Sequence, residues 1–187
     1  MKKALIFDLY DTLIKINVKT KPYLYLLDNS MNDNKGETLH KIVTANYSDE
    51  DLFWYFGTSD FDTITFNEKL DVELNSVDAF SDTYSVLTKL SDKYRLFLLS
   101  NLATPYKQPF YDLQLNRYFE KVFFSCDEGD KKPNASFFQK VVDYSKLDKS
   151  EIVMIGDNIV SDYKGAMDFG IDAILKDNEL RYVTKDL

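Results

Sequence analysis

Arginine is scarce in this chain: Arg95, Arg117 and Arg181 are the only ones among 187 residues. A bidentate guanidinium grip on phosphate or carboxylate is therefore available at few places. Cysteine occurs once, at Cys126, which excludes an internal disulfide and fits a reducing cytosol. Histidine also occurs once, as His40. It falls in a helical pattern and reads as a satisfied or exposed helix residue rather than a catalyst. No apolar run is long enough to span a membrane. The opening Met1-Lys2-Lys3 has the charge of a signal-peptide start, but its apolar run stops at Asp8, too soon for one. The expected location is cytoplasmic. Basic residues are outnumbered, 23 Lys and Arg against 31 Asp and Glu, for a net charge of −8. That balance argues against a nucleic-acid surface, which needs a basic patch. It leaves open a small phosphorylated metabolite, since one lysine or metal ion can hold a phosphate locally. Monomer and homodimer both remain open.

What is present is a soluble globular composition, 44% hydrophobic and 29% charged, in two differently patterned regions. From Thr83 to Leu175 short apolar runs alternate with amphipathic stretches. The pattern predicts strands at 4–7, 95–100, 121–125, 152–155 and 171–175, and helices at 83–93, 105–115, 134–144 and 160–169. Gly170 suits the left-handed cap that ends the last helix. Strands separated by helices imply right-handed crossovers and a parallel sheet. The region 15–80 lacks this alternation and predicts short helices at 22–27, 37–45, 50–56 and 66–77. The expectation is an α/β protein with a Rossmann-like, three-layer core (1–14 and 81–187) and a small α-helical cap domain (15–80). Inserted after the first strand, such a segment reads as a lid on a site. Phe53-Trp54-Tyr55-Phe56 within it reads as core packing, with a site-facing surface or dimer contact as the alternative.

The chemistry-bearing residues fall at strand ends. Ala4–Phe7 runs into Asp8, followed by Tyr10, Asp11 and Thr12. An acid there is placed to be a nucleophile or metal ligand; a strand-end Asp that merely caps the turn is the plain alternative. Ser100-Asn101 ends one run, Lys132-Pro133 follows another, and Gly156-Asp157-Asn158 a third, with Asp162 five residues beyond Asp157. In a parallel sheet all these ends share one edge. Several carboxylates in one crevice repel one another, and a Mg²⁺ ion relieves this while binding substrate phosphate oxygens. A lysine and a serine hydroxyl beside it suit the remaining phosphate oxygens.

Asp8-Leu9-Tyr10-Asp11-Thr12, Leu99-Ser100-Asn101, Lys132-Pro133 and Gly156-Asp157 with Asp162 resemble, in order, the four motifs of the haloacid dehalogenase-like (HAD) hydrolase superfamily. The resemblance spans residue 3 to about 175, and the 15–80 insert resembles the helical cap that follows the first motif. It implies a Mg²⁺-dependent phosphatase acting through an aspartyl-phosphate. Asp8 would be the nucleophile and a Mg²⁺ ligand, the Tyr10 backbone carbonyl a second ligand, and Asp157 a third. Asp162 would hold the ion through water or orient Lys132, and Asn158 would assist nearby. Ser100 and the Asn101 backbone would bind phosphoryl oxygens, Lys132 would neutralise nucleophile and phosphate, and Thr12 would brace the first loop.

One position departs from the phosphatase pattern. Most phosphatases of the superfamily carry Asp two residues after the nucleophile, as the acid that protonates the leaving oxygen; here it is Tyr10. A tyrosine can donate a hydrogen bond but is a poor base at neutral pH. Asp11 is expected to brace the loop rather than replace that acid. Tyrosine at this position also resembles the 2-haloacid dehalogenases of the superfamily, whose aspartate attacks carbon without metal. The absence of arginine from 15–80 and the retained Asp157 and Asp162 favour phosphoryl chemistry. A regulatory, low-turnover binding member is the third reading, motivated by Tyr10. Cys126 sits before an acidic loop that disfavours its thiolate.

Overall fold

A computed structural model describes residues 1–30, 33–58, 60–177 and 179–180. Strand β1 (Ala4–Phe7) is followed by β2 (Ile14–Ile16) and then by helices α1 (Pro22–Asp28), α2 (Lys35–Val43), α3 (Asp49–Phe56) and α4 (Thr63–Asn75). Strand β3 (Val77–Ala79) returns antiparallel to β2, pairing Ile14 with Ala79 and Ile16 with Val77. The chain then alternates: α5 (Thr83–Ser91), β4 (Arg95–Ser100), α6 (Gln108–Asp112), β5 (Lys121–Phe124), α7 (Ser125–Glu128), α8 (Ala135–Ser145), β6 (Ile152–Gly156), α9 (Gly165–Phe169) and β7 (Asp172–Leu175).

The main sheet has 5 parallel strands in the order β5-β4-β1-β6-β7. β1 is central because all four of its residues are apolar and buried, the pattern a strand covered on both faces requires. Its side chains alternate between two cores. Leu5 and Phe7 join Leu96, Leu98, Val153 and Ile155 on the face that packs Val86, Leu87 and Leu90 of α5 and Phe110 of α6. Ala4 and Ile6 join Phe97, Leu99, Ile152 and Met154 on the face that packs Phe137, Phe138 and Val141 of α8 and Ala166 of α9. This is the expected three-layer Rossmann-like α/β fold. Phe137 is fully buried, so Phe137→Ala should lower unfolding free energy by about 3–5 kcal/mol, measurable by urea denaturation.

Several predicted elements are corrected. The helix expected over 66–77 ends earlier, because Ser76 caps α4 and Val77 enters β3. Strands of three residues leave no period to detect, so the β2–β3 pair was not expected. The single helix predicted over 105–115 is a 3₁₀ turn, Thr104–Lys107, followed by the five-residue α6. Pro105 and Pro109 each lack the N–H that a continuous helix needs, and Gln114 is left-handed at φ 54°. The helix predicted over 160–169 divides into a π-helical turn, Ile159–Lys164, and α9. At the division, a Cβ on Gly165 would lie 2.7 Å from the Pro133 Cβ, so only glycine permits that approach. Ser125, expected in a strand, starts α7 and exchanges hydrogen bonds with the Leu102 backbone. Gly170 is left-handed at φ 94°, as expected.

The α1–α4 segment has its own apolar cluster of Leu26, Ile42, Leu52, Phe56, Phe66 and Leu70, with Ala103 and Tyr106 from the turn after β4. The aromatic run divides. Phe53 and Phe56 join this cluster, whereas Trp54 and Tyr55 are 74% and 57% exposed. His40 is exposed on α2. Residues 181–187, with Arg181, lie outside the described residues.

Candidate active site

The parallel register brings the predicted strand ends to one edge. Phe7 lies beside Leu98 of β4 and Ile155 of β6, and the Asp8 amide continues the ladder to the Ile155 carbonyl at 3.0 Å. Asp8 and Asp157 thus follow adjacent strands β1 and β6, and Ser100 ends the neighbouring β4. Asp8, Tyr10, Asp11, Asn101, Lys132, Asp157, Asn158 and Ser161 line a polar cavity of about 240 Å³.

Lys132 is the hub. Its side chain is 1% exposed, and its ammonium lies 2.7 Å from the Asp8 carboxylate and 2.7 Å from that of Asp162. Burial opposes the charged ammonium, but Asp8 and Asp162 outweigh it and raise its pKa. Asn101 holds the backbone of this lysine from both sides: its amide donates to the Lys132 carbonyl and its oxygen accepts the Lys132 N–H, both at 2.8 Å.

Burial pushes the Asp8 carboxyl up to about 6, against the pull of Lys132, and Asp162 adds to the rise. Burial likewise raises Asp157, with Asp162 next in effect; the Thr12 hydroxyl donates to Asp157 at 3.3 Å. Asp8, Asp157 and Asp162 each bring a carboxylate oxygen within 4.8 Å of the others. Raised carboxyl pKa values mark negative charge that a divalent cation would relieve, and hard oxygen donors match Mg²⁺. The donor set fits such an ion. Within it the roles differ. Asp162 gives Oδ1 to Lys132 and the Ser161 hydroxyl, and Oδ2 to the Asn158 N–H, so its oxygens are engaged. Asp8 and Asp157 face the cavity.

The local fold that aims Asp162 depends on Gly156, where any Cβ would overlap the Asp162 carboxylate. Asn158 closes the same loop by accepting the Val160 and Ser161 N–H groups. Gly156→Ala should displace Asp162 from Lys132 and destabilise the protein by about 1–3 kcal/mol, read as a lower thermal midpoint.

Three residues sit differently from a simple motif picture. Ser100 is 1% exposed at the end of β4, and Asn101, not Ser100, lines the cavity. Tyr10 is among the residues lining the cavity, and it donates its hydroxyl to the Tyr106 carbonyl at 3.0 Å. Burial, then the charge of Glu73, raises its pKa well above the ordinary phenol value, so the phenol holds its proton and is a poorer proton donor to a leaving group. Asp11 is left-handed at φ 57° and half-exposed, with Lys19 4.0 Å away. Burial, reinforced by Asp127, raises the Cys126 thiol.

Lys176 belongs to none of the four motifs. It follows β7, donates to the Asp11 carbonyl at 2.9 Å and lies 3.8 Å from the centre of the Phe80 ring. Burial lowers its pKa. The strand-end rule that found Asp8 and Asp157 applies equally to it. Ser161, within the π-helical turn, carried no such signal.

Residues 5–176 match the haloacid dehalogenase-like hydrolase family, and the chain belongs to it. Among curated proteins, the glyceraldehyde 3-phosphate phosphatase of Methanothermobacter thermautotrophicus is 31% identical over 109 residues, 57% of this chain and 48% of that protein. The Pyrococcus abyssi protein of the same name is 34% identical over 83 residues, 43% of this chain and 34% of that one. The matched region therefore spans less than half the length of these relatives. Among solved structures, a HAD family enzyme from Bacteroides thetaiotaomicron, in complex with magnesium and inorganic phosphate, superposes with a TM-score of 0.74 at 16% identity, covering 98% of this chain and 100% of that one. A predicted HAD-like hydrolase from Porphyromonas gingivalis gives 0.73 at 24% identity, covering 100% and 96%. These two likenesses concern the fold.

Proposed function

We propose that this protein is a Mg²⁺-dependent phosphatase that hydrolyses a small phosphate ester through an aspartyl-phosphate on Asp8. The observation that carries the reading is Asp8 paired with buried Lys132, with Asp157 and Asp162 close by, at the wall of a small polar cavity. The Asp8 carboxylate oxygen attacks phosphorus, and the bond from phosphorus to the ester oxygen breaks. The departing alkoxide takes up a proton from solvent and leaves as the alcohol. Water then attacks the same phosphorus, the bond from phosphorus to the Asp8 oxygen breaks, a water proton passes to solvent, and inorganic phosphate leaves with the Asp8 carboxylate restored. Lys132 screens the charge of nucleophile and phosphoryl group, and Asp162 orients Lys132. Asn101, on the cavity wall beside Lys132, holds phosphoryl oxygens through its backbone, while Thr12 braces Asp157. Asp8, Asp157 and the Tyr10 carbonyl would hold Mg²⁺, which supplies neutralisation of phosphoryl charge. The 15–80 segment acts as the cap on a core formed by 1–14 and 81–187.

The substrate class follows from scale and charge. Among the described residues, the wall of the cavity of about 240 Å³ has one cation, Lys132, and several acids, which suits a short, uncharged polyol or aldehyde phosphate. The curated relatives make glyceraldehyde 3-phosphate the first substrate to assay. Among the described residues no helix is long and apolar enough to cross a membrane, and a cytoplasmic setting suits the single buried thiol.

The experiment is a panel of phosphate esters with Mg²⁺. The Tyr10 hydroxyl proton is committed to Tyr106, so general-acid help to the leaving group, generally worth about 10²–10⁴-fold, is weak. Nitrophenyl phosphate should be turned over at least about 10²-fold faster than alkyl phosphates; equal rates would mean another group delivers the proton. Tyr10 also motivates the dehalogenase reading, and chloride release from a 2-haloacid in the presence of a chelator would favour it.

A further inference from the structure

A buried carboxylate outside the motifs joins the α1–α4 segment to the active-site wall. Glu73 of α4 is 6% exposed and makes no ion pair among the described residues. It accepts the Tyr106 hydroxyl at 2.7 Å and the Lys21 N–H at 2.8 Å, and the Thr20 hydroxyl, which donates to the Lys69 carbonyl at 2.5 Å, lies 3.1 Å away. Thr20 and Lys21 lead into α1; Tyr106 lies in the turn after β4. A buried carboxylate is tolerated only when hydrogen bonds replace its lost water, so these donors tie α4, the entry to α1 and the turn after β4 to one point. Tyr106 passes the constraint onward. Its carbonyl accepts the Tyr10 hydroxyl at 3.0 Å, and its ring stands edge-on to the Tyr10 ring with centroids 5.6 Å apart. The same turn is gripped again nearby, where the Asn46 oxygen accepts from the Thr104 hydroxyl at 3.0 Å and the Lys107 ammonium at 3.3 Å, and its amide donates to Asp127 at 2.7 Å.

We propose that Glu73 is a positioning residue for the Asp8 site: through Tyr106 it holds Tyr10 as a wall of the cavity and registers the α1–α4 segment against the turn that carries Tyr106. Tyr10 is then a strut, holding its loop through its hydroxyl and ring. Its hydroxyl anchors the first loop to the network that anchors the insert.

The test has two arms, and only the kinetic one rests on the phosphatase reading. In the first, amide hydrogen exchange is measured without substrate. Tyr106→Phe removes the bond to Glu73 and keeps the ring. It should speed exchange of the Asp11 amide, a remote donor to the Ile14 carbonyl, by about 5-fold, the equivalent of one net hydrogen bond. Unchanged exchange at Asp11 in the folded variant overturns the proposal. Should Tyr106→Phe fail to fold, Tyr10→Phe is read in the opposite direction, with faster exchange expected at the Lys21 amide; no change there overturns it equally. In the second arm, Tyr106→Phe should raise KM for nitrophenyl phosphate about 5-fold with kcat within about twofold. The Tyr10→Phe/Tyr106→Phe double variant should be no worse than the weaker single, because both hydroxyls serve one network. Losses that multiply, or a fall in kcat alone, contradict the network. If the wild type hydrolyses no phosphate ester, the phosphatase reading fails and the exchange arm still decides the role of Glu73.

Discussion

Replacing Asp8 with asparagine should reduce turnover by on the order of 10⁴–10⁶-fold, the range expected when a covalent nucleophile is removed. The amide keeps the size of the side chain, so the loss would come from chemistry rather than packing. Substantial residual hydrolysis in purified Asp8→Asn protein would refute the aspartyl-phosphate route. The same variant has a stability signature opposite to its activity. Burial raises the Asp8 carboxyl to about 6 in the folded protein, against about 3.9 for an unperturbed aspartate. A raised carboxyl pKa means that folding favours the protonated form. That stabilising contribution is complete below about pH 4 and lost as pH rises through about 6. Asparagine resembles the protonated form at every pH. With chelator present, the Asp8→Asn thermal midpoint should therefore exceed that of the wild type at pH 8, and the gap should narrow as pH falls through 6. A gap that does not change with pH would mean that Asp8 titrates normally in the metal-free protein.

Chelation supplies the second large effect. With Asp8, Asp157 and Asp162 converging within 4.8 Å, EDTA should remove nearly all phosphatase activity and Mg²⁺ should restore it. Mg²⁺ at about one hundred times its dissociation constant should also stabilise the folded protein by about 2.7 kcal/mol, read as a higher melting temperature. Asp157→Asn should abolish both responses, since this half-buried acid faces the cavity and its partner, Thr12, is only a hydroxyl. Asp162→Asn should act differently. Its oxygens serve Lys132, Ser161 and the Asn158 amide, so its loss should lower kcat while leaving more of the Mg²⁺ stabilisation than Asp157→Asn leaves. Undiminished activity after exhaustive chelation would exclude the metal-dependent mechanism.

The opposite behaviour expected of these two acids shows where sequence and tertiary structure part company. The sequence by itself determined the sheet and the edge at which chemistry sits. A buried parallel strand is a short run of apolar residues, and a polar residue just past it must emerge at the carboxyl edge, so Asp8 and Asp157 could be placed together from local pattern alone, while Lys132 and Asp162, farther along the chain, were brought to them by the order of the motifs. Departures in the fold have local causes too small to leave a period: three-residue strands at β2 and β3, prolines at 105 and 109, and the close approach of Gly165 to Pro133. Only the tertiary structure decided how the polar atoms at that edge are shared. It directs both oxygens of Asp162 inward, puts Asn101 rather than Ser100 on the cavity wall, and spends the Tyr10 hydroxyl on a carbonyl 96 residues away. It also joins Glu73 to Tyr106 across 33 residues. Such pairings depend on the relative positions of elements far apart in the chain, and hydrogen bonds reward that placement only within a few tenths of an ångström. An apolar run reveals which edge a residue reaches; packing determines which partner it meets there.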